Sequence, residues 1–191
     1  MIFYTSDQHF GHYNVIRSCK RPFSSVEEMD DHLIEQWNKT VGWDDEVYIL
    51  GDFIYRSTRP AESYLRRLNG KKHLFLGNHD RHWFETISPS SWFESVNTLR
   101  FYKHGARKVA LCHYPMMSWP GGRGTYLLFG HLHNGFDMPF WPLIEGNELM
   151  LNVGVDINGF RPVAFEELQE NNARFKAYTA KERAGKTEGS A

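Results

Sequence analysis

The chain has little of several things, and each shortage narrows what it can be. Cysteine occurs twice, as Cys19 and Cys112, too few for the disulfide framework of a small secreted domain and in keeping with structural thiols in a reducing cytoplasm. No apolar run approaches the roughly 20 residues that cross a bilayer as a helix, so no membrane association is expected. Charge of one sign is lacking too: 22 Lys and Arg against 23 Asp and Glu leave a formal net charge of -1. Nothing in the bulk composition therefore draws the chain to nucleic acid or anionic lipid, and any contact with phosphate has to come from a local site. The opening MIFYTSDQH lacks the basic segment, apolar stretch and small-residue cleavage site of a secretory signal and reads instead as a strand. A cytoplasmic location is the expectation.

What is present fits one domain. With 191 residues, 41% of them hydrophobic and 15% aromatic, the chain can bury one substantial core but not two. We assign residues 1–180 to that domain. The closing KERAGKTEGSA, residues 181–191, is polar and small, and is expected to be disordered. Strand-like runs are read at Ile2–Ser6, Glu46–Leu50, Lys72–Leu76, Leu99–Lys103, Arg107–Cys112, Tyr126–Phe129 and Glu148–Val153. Helical patterns separate the early runs. SSVEEMDDHLIEQW sets Ser25 and Glu28 in capping-box register and Val26, Met29, Leu33 and Trp37 on one face. RPAESYLRRL starts with Pro60 and stops at Asn69-Gly70. The order is β-α-β-α-β, followed beyond residue 95 by strands in succession with a hairpin turn at His104-Gly105, so a mixed sheet system is expected. PVAFEELQ is read as a last short helix or turn.

The residues that follow the strands carry the chemistry. Ile2–Ser6 runs into Asp7-Gln8-His9, Val47–Leu50 into Gly51-Asp52, His73–Leu76 into Gly77-Asn78-His79-Asp80, Val109–Cys112 into His113, and Leu127–Phe129 into Gly130-His131-Leu132-His133. Strand carboxyl ends border the ligand crevice of open α/β sheets, so groups far apart in sequence can converge there. Imidazoles with carboxylates and one amide oxygen suit a catalytic transition metal such as Zn, Mn or Fe, whereas all-thiolate or all-oxygen sets suit other ions. Asp-x-His and His-x-His place alternate residues on one side if the backbone stays extended. The glycines before Asp52, Asn78 and His131 are expected to let the chain turn sharply.

In this order the motifs resemble the signature of the calcineurin-like metallophosphoesterases, and the match spans residues 7 to 133. The SDQHFGH opening and the short chain without inserted segments are similar to small bacterial and phage members. The resemblance implies an α/β fold: a four-layer αββα sandwich of two mixed β-sheets flanked by helices. It implies two divalent metal ions (Mn, Zn, Fe or Ni), one held by Asp7, His9, Asp52 and His133, the other by Asp52, Asn78, His113 and His131, with Asp52 as the bridge. It further implies attack on phosphorus by a metal-held hydroxide, with His79 contacting the phosphate or protonating the leaving oxygen and Asp80 orienting His79. The expected activity is hydrolysis of a phosphate ester, a phosphodiester of a small nucleotide-like molecule or a nucleic-acid end first among them. A phosphomonoesterase or nuclease on the same centre is the alternative.

Each site residue also has a plainer reading. A single histidine or aspartate is more often a surface or hydrogen-bonded residue than a ligand, and it is the joint occurrence of five motifs that overrides this. His12, Arg17 and Arg56 follow the first two motifs closely enough to reach a substrate phosphate, although capping or surface hydrogen bonding explains them equally well. A metallo-β-lactamase-type hydrolase lacks its HxHxDH here. A non-catalytic scaffold of the same fold would show gaps among the ligands, and none is seen. A nucleic-acid-binding module would need a basic helix or an aromatic RNA-binding signature.

Overall fold

The structure is a computed structural model of the chain, and it describes residues 1–188. Eight strands form two four-stranded sheets. The first contains β1 (Ile2–Thr5), β2 (Glu46–Ile49), β3 (Lys71–Phe75) and β4 (Ser95–Asn97) in that spatial order; the second contains β5 (Leu99–His104), β6 (Arg107–Cys112), β7 (Thr125–Phe129) and β8 (Met150–Asn152). All three pairings of the first sheet are parallel, and its antiparallel contact is the isolated Tyr4–Val163 bridge. The second sheet is mixed: β5 and β6 form the expected hairpin, turning at Gly105-Ala106, and the next two pairings are parallel.

Period-two alternation puts one face of each sheet against the other and one against helices. Tyr4, Tyr48, Leu50 and Phe75 of the first sheet meet Val109, Leu111, Leu128 and Leu151 of the second in one buried cluster. On the opposite face of the first sheet, Phe3, Val47, Ile49 and Leu74 pack with Met29, Leu33, Ile34 and Trp37 of α2 (Val26–Thr40) and with Ala61, Tyr64 and Leu65 of α3 (Ala61–Leu65). Outside the second sheet, Ala110, Leu127 and Phe129 pack against Trp141, Ile144 and Phe175, which lie on α5 (Trp141–Glu145) and α6 (Phe165–Glu188). The result is the four-layer αββα order. Ser25 caps α2 by accepting from the Glu28 amide at 3.1 Å, and the Glu28 carboxylate reaches back to the backbone N–H of Ser24 at 2.7 Å rather than to that of Ser25.

Four short helices and strands have no counterpart in the sequence reading: α1 (Tyr13–Ser18), α4 (Arg81–Phe84), β4 and α5. The C-terminal expectation is corrected. Instead of a short helix and a disordered tail from 181, α6 continues to Glu188. Ala, Glu, Lys and Arg sustain a helix by propensity, and the segment is tied down where Arg183 donates to Glu145 at 2.8 Å and Lys186 to Asp137 at 3.0 Å. The remainder of that expected tail, 189–191, lies outside the described residues. Among the described residues, no helix is long and apolar enough to cross a membrane.

Candidate metal centre

The loops leaving β1, β2, β3, β6 and β7 bring their polar residues together. Asp7, His9 and His133 form one trio of potential ligands and Asp52, His113 and His131 another, the offered atoms of each trio lying within 4.8 Å of one another. Asp52 stands between them: its Oδ2 is 3.5 Å from His9 Nε2 and 3.5 Å from His113 Nε2. Asn78 joins the second trio through Oδ1, which lies 3.1 Å from His113 Nε2.

These spacings fit cations. Ligand atoms about 2.1 Å from a common ion, at angles near 90–110°, sit roughly 3.0–3.5 Å apart. His9 supplies an independent test: both ring nitrogens are buried and neither has a hydrogen-bond partner among the described residues. A neutral imidazole left so would lose the hydration of both its polar atoms, a penalty of about 1–3 kcal/mol per group that an ion at one of them offsets. The donor set of imidazole, carboxylate and amide oxygen is that of a divalent transition metal.

The side chains do not converge as extended Asp-x-His and His-x-His pairs. Asp7, His9, Asp52, His131 and His133 all have φ between 51° and 71°, in the left-handed region that L-residues avoid. Sharp local kinks, not strand pleat, aim these groups at the centre. The glycine expectation is also revised. Gly51 does turn with φ +84°, but Gly77 and Gly130 have no positive φ, and what excludes a side chain there is proximity: an added Cβ would lie 2.3 Å from Asp52 Oδ1 at Gly77 and 2.4 Å from Ser6 Oγ at Gly130.

Around the ligands runs a layer of buried hydrogen bonds. His113 Nδ1 donates to the Leu50 carbonyl at 2.7 Å, which turns Nε2 toward Asp52. His133 Nδ1 lies 2.8 Å from Asp156 Oδ2, and the Asp156 carboxylate also receives Arg21 Nε at 2.8 Å and Nη2 at 2.9 Å. Arg21 in turn donates to the carbonyls of Gln8 at 2.8 Å and Asp7 at 2.7 Å. One guanidinium therefore braces the Asp7–His9 loop and, through Asp156, His133. Asn152 donates to the His133 carbonyl at 2.8 Å. Burial alone would lower both histidines. The Asp156 carboxylate nevertheless lifts His133 to about 11, and Asp52 with Asp7 lifts His113 to about 8. Cys19 also approaches His133 and Asp156, where the carboxylate is already engaged by the Arg21 guanidinium and His133 Nδ1.

Asp80 does not orient His79. Its carboxylate is buried and accepts from the backbone N–H groups of Gly77 (2.7 Å), Asp52 (2.8 Å) and Phe53 (2.8 Å) and from the Trp83 indole (2.8 Å). With four donors it has nothing left for an imidazole, and its work is to clamp the two loops that carry Asp52 and Asn78. His79 stands at the edge of the centre, its Nε2 4.0 Å from Asp52 Oδ2 and its side chain 33% exposed, with the Tyr55 ring 4.0 Å away. His12 packs on the same tyrosine at 4.6 Å and on His9 at 5.3 Å. Arg56 is exposed and lies over the Tyr55 ring at 5.0 Å. Arg17 is exposed on α1, and no hydrogen bond or ion pair connects it with the centre. Arg21, Asn152 and Asp156 escaped the sequence reading. The rule that found the ligands could have found two of them, since Asn152 and Asp156 close and follow the last strand-like run.

Two face-packed sheets with helices outside and His, Asp and Asn gathered at strand ends define an α/β fold with a candidate metal site. A sequence profile of calcineurin-like phosphoesterases matches residues 1–179, and the chain belongs to that family. It is 32% identical over 167 residues to protein MJ1445 of Methanocaldococcus jannaschii, covering 86% of this chain and 87% of that protein. It is 32% identical over 159 residues to the gene 66 protein of Mycobacterium phage D29, covering 70% and 78% of the two chains. The protein of unknown function AQ665 from Aquifex aeolicus, 23% identical, superposes with a TM-score of 0.69 over 89% of this chain and 98% of that one, a likeness of fold.

Proposed function

We propose that this chain is a dinuclear phosphoesterase that hydrolyses phosphodiesters of nucleotide-like substrates. The observation that carries the reading is the placement of one Asp52 oxygen 3.5 Å from a histidine of each trio, which would let that carboxylate serve both ion sites. Asp7, His9, Asp52 and His133 would hold one ion and Asp52, Asn78, His113 and His131 the other. Two divalent cations at such a centre supply an activated water and offset charge developing at phosphorus. The chain's own residues do the rest. Arg21 and Asp156 hold His133, Asp80 holds the loops of Asp52 and Asn78, and His79 faces the reacting group with a proton for the leaving oxygen. Water adds at phosphorus as the bond to the leaving oxygen breaks, and that oxygen departs as the alcohol.

The diester preference rests on access. The residues between His79 and His113 are spent on α4, β4, β5 and β6, body elements and not a cap, so a substrate with two ester arms has room. The test is hydrolysis of bis-p-nitrophenyl phosphate and p-nitrophenyl phosphate after chelation and after readdition of Mn, Zn, Fe or Ni. Chelation should abolish activity, Mn should restore it, and kcat/KM should favour the diester. Full activity in metal-free protein overturns the mechanism; a monoester advantage overturns only the preference.

A further inference from the structure

A groove of about 530 Å³ opens beside His79. Its lining includes Tyr55, Arg56, Thr58, Arg59 and His82, and no carboxylate anywhere. The larger cavity of about 610 Å³ is lined neither by the candidate ligands nor by His79, whereas the groove meets the centre through His79, whose Nε2 is 4.0 Å from Asp52 Oδ2. Among the described residues neither Arg56 nor Arg59 forms an ion pair, as is also true of Arg17, Arg66, Arg100 and Arg123, while the other seven arginines do. Arg56 also has φ 52°. That backbone conformation sets Arg56 over the Tyr55 ring at 5.0 Å, and residues held in the left-handed region cluster where a side chain must be aimed. Two arginines outside any ion pair, on a lining without a carboxylate, attract an anion, and the Tyr55 ring adds the aromatic wall common in nucleotide-binding clefts.

We propose that this groove takes the leaving alcohol of the substrate and that Arg56 and Arg59 bind a second phosphate on it, making the preferred ester one whose leaving group is itself a phosphorylated nucleotide. The assignment rests on the phosphoesterase reading, because it is His79 as proton donor that makes this the leaving-group side. Specificity then arises from a group two ester linkages away from the reacting bond, the kind of dedicated polar contact that discriminates strongly between otherwise similar substrates.

The experiment uses the Mn-loaded full chain hydrolysing bis-p-nitrophenyl phosphate, with two competitors: thymidylyl-thymidine and the same dinucleotide phosphorylated at both ends, so that either leaving group carries a phosphate. The phosphorylated form should inhibit with at least a tenfold lower Ki, and that ratio should fall by about tenfold, the equivalent of ~1.4 kcal/mol, in the Arg56→Gln/Arg59→Gln protein. Arg59→Gln alone, which leaves Arg56 untouched, should lose part of it. Equal inhibition by the two competitors, or a ratio that persists in the double variant because the metals alone bind the extra phosphate, overturns the groove assignment and leaves the phosphoesterase intact. No hydrolysis of the aryl diester under any metal overturns the underlying reading, and the groove assignment with it.

Discussion

Replacing Asp156 with alanine tests whether the centre depends on the brace behind it. The carboxylate and the Arg21 side chain it binds are 1% and 0% exposed, so the substitution strands a buried guanidinium and frees the ring of His133. Removing one partner of a buried pair costs about 3–5 kcal/mol; for a domain of this size each kcal/mol is worth roughly 2–4 °C, giving a melting point lower by about 6–20 °C. Loss of the group that orients a ligating histidine weakens metal binding by about 10–100-fold. These two effects separate experimentally. Thermal unfolding with and without saturating Mn gives the stability loss and the metal-linked gain, and the gain should shrink by ~1.4–2.7 kcal/mol in the variant. Asp156→Asn, which keeps the shape, should recover part of the stability and little of the affinity, because an amide carries no charge to hold His133 and its NH2 would face the Arg21 Nε donor in place of an acceptor. A variant that melts early yet binds Mn as tightly as the parent would show that His133 needs no brace, and the argument from the relay would be wrong.

Asp52→Asn should reduce metal content and rate together, since its oxygen serves both trios, while His79→Asn should keep its metal and lose about 10²–10⁴ in rate; elemental analysis beside kinetics separates the two, and loss of metal on changing His79 would make it a ligand. Gly77→Ala should destabilise the fold and weaken metal binding together, because its Cβ would stand 2.3 Å from Asp52 Oδ1; unchanged Mn affinity in titration calorimetry would contradict that crowding. Metal binding should tighten with pH. With His133 lifted to about 11 and His113 to about 8, both carry protons near neutrality that an ion must displace, so apparent affinity rises by up to about 100-fold per unit below pH 8 and by about tenfold above it. In the metal-free protein the sign reverses: stability contributed by His113 is full below its unfolded value near 6.5 and fades as pH passes about 8. An affinity that stays flat from pH 6 to 8 would count against both protonations.

The candidate ligands were legible because they follow apolar strands, where a cluster of polar residue types is conspicuous. The layers behind them were not. Arg21 lies in a stretch with no motif, Asp156 follows the last strand-like run 135 positions later, and only the folded sheet order makes them neighbours. Asp80 shows the complementary error: its residue type next to His79 invites a pairing that the backbone amides of the neighbouring loop have already taken. The parallel character of the whole first sheet was obscured by β4, a three-residue strand too short for any pattern to mark. The length of α6 was misjudged because a polar, alanine-rich end reads alike as tail or exposed helix until its ion pairs are known.

The five left-handed residues of the centre have a consequence for how such a protein can change over time. At ~1–2 kcal/mol each, their conformations together withhold about 5–10 kcal/mol, comparable to the entire net stability of an ordinary domain. Glycine or asparagine at any of those positions would return part of that energy, so the backbone partly offsets what the loss of such a side chain costs. Once selection for the reaction lapses, a lineage should shed these ligands early and keep the sheets, and its descendants would be proteins that hold no metal. An intact set in a present-day chain therefore speaks for continued use of the centre more strongly than the fold around it does.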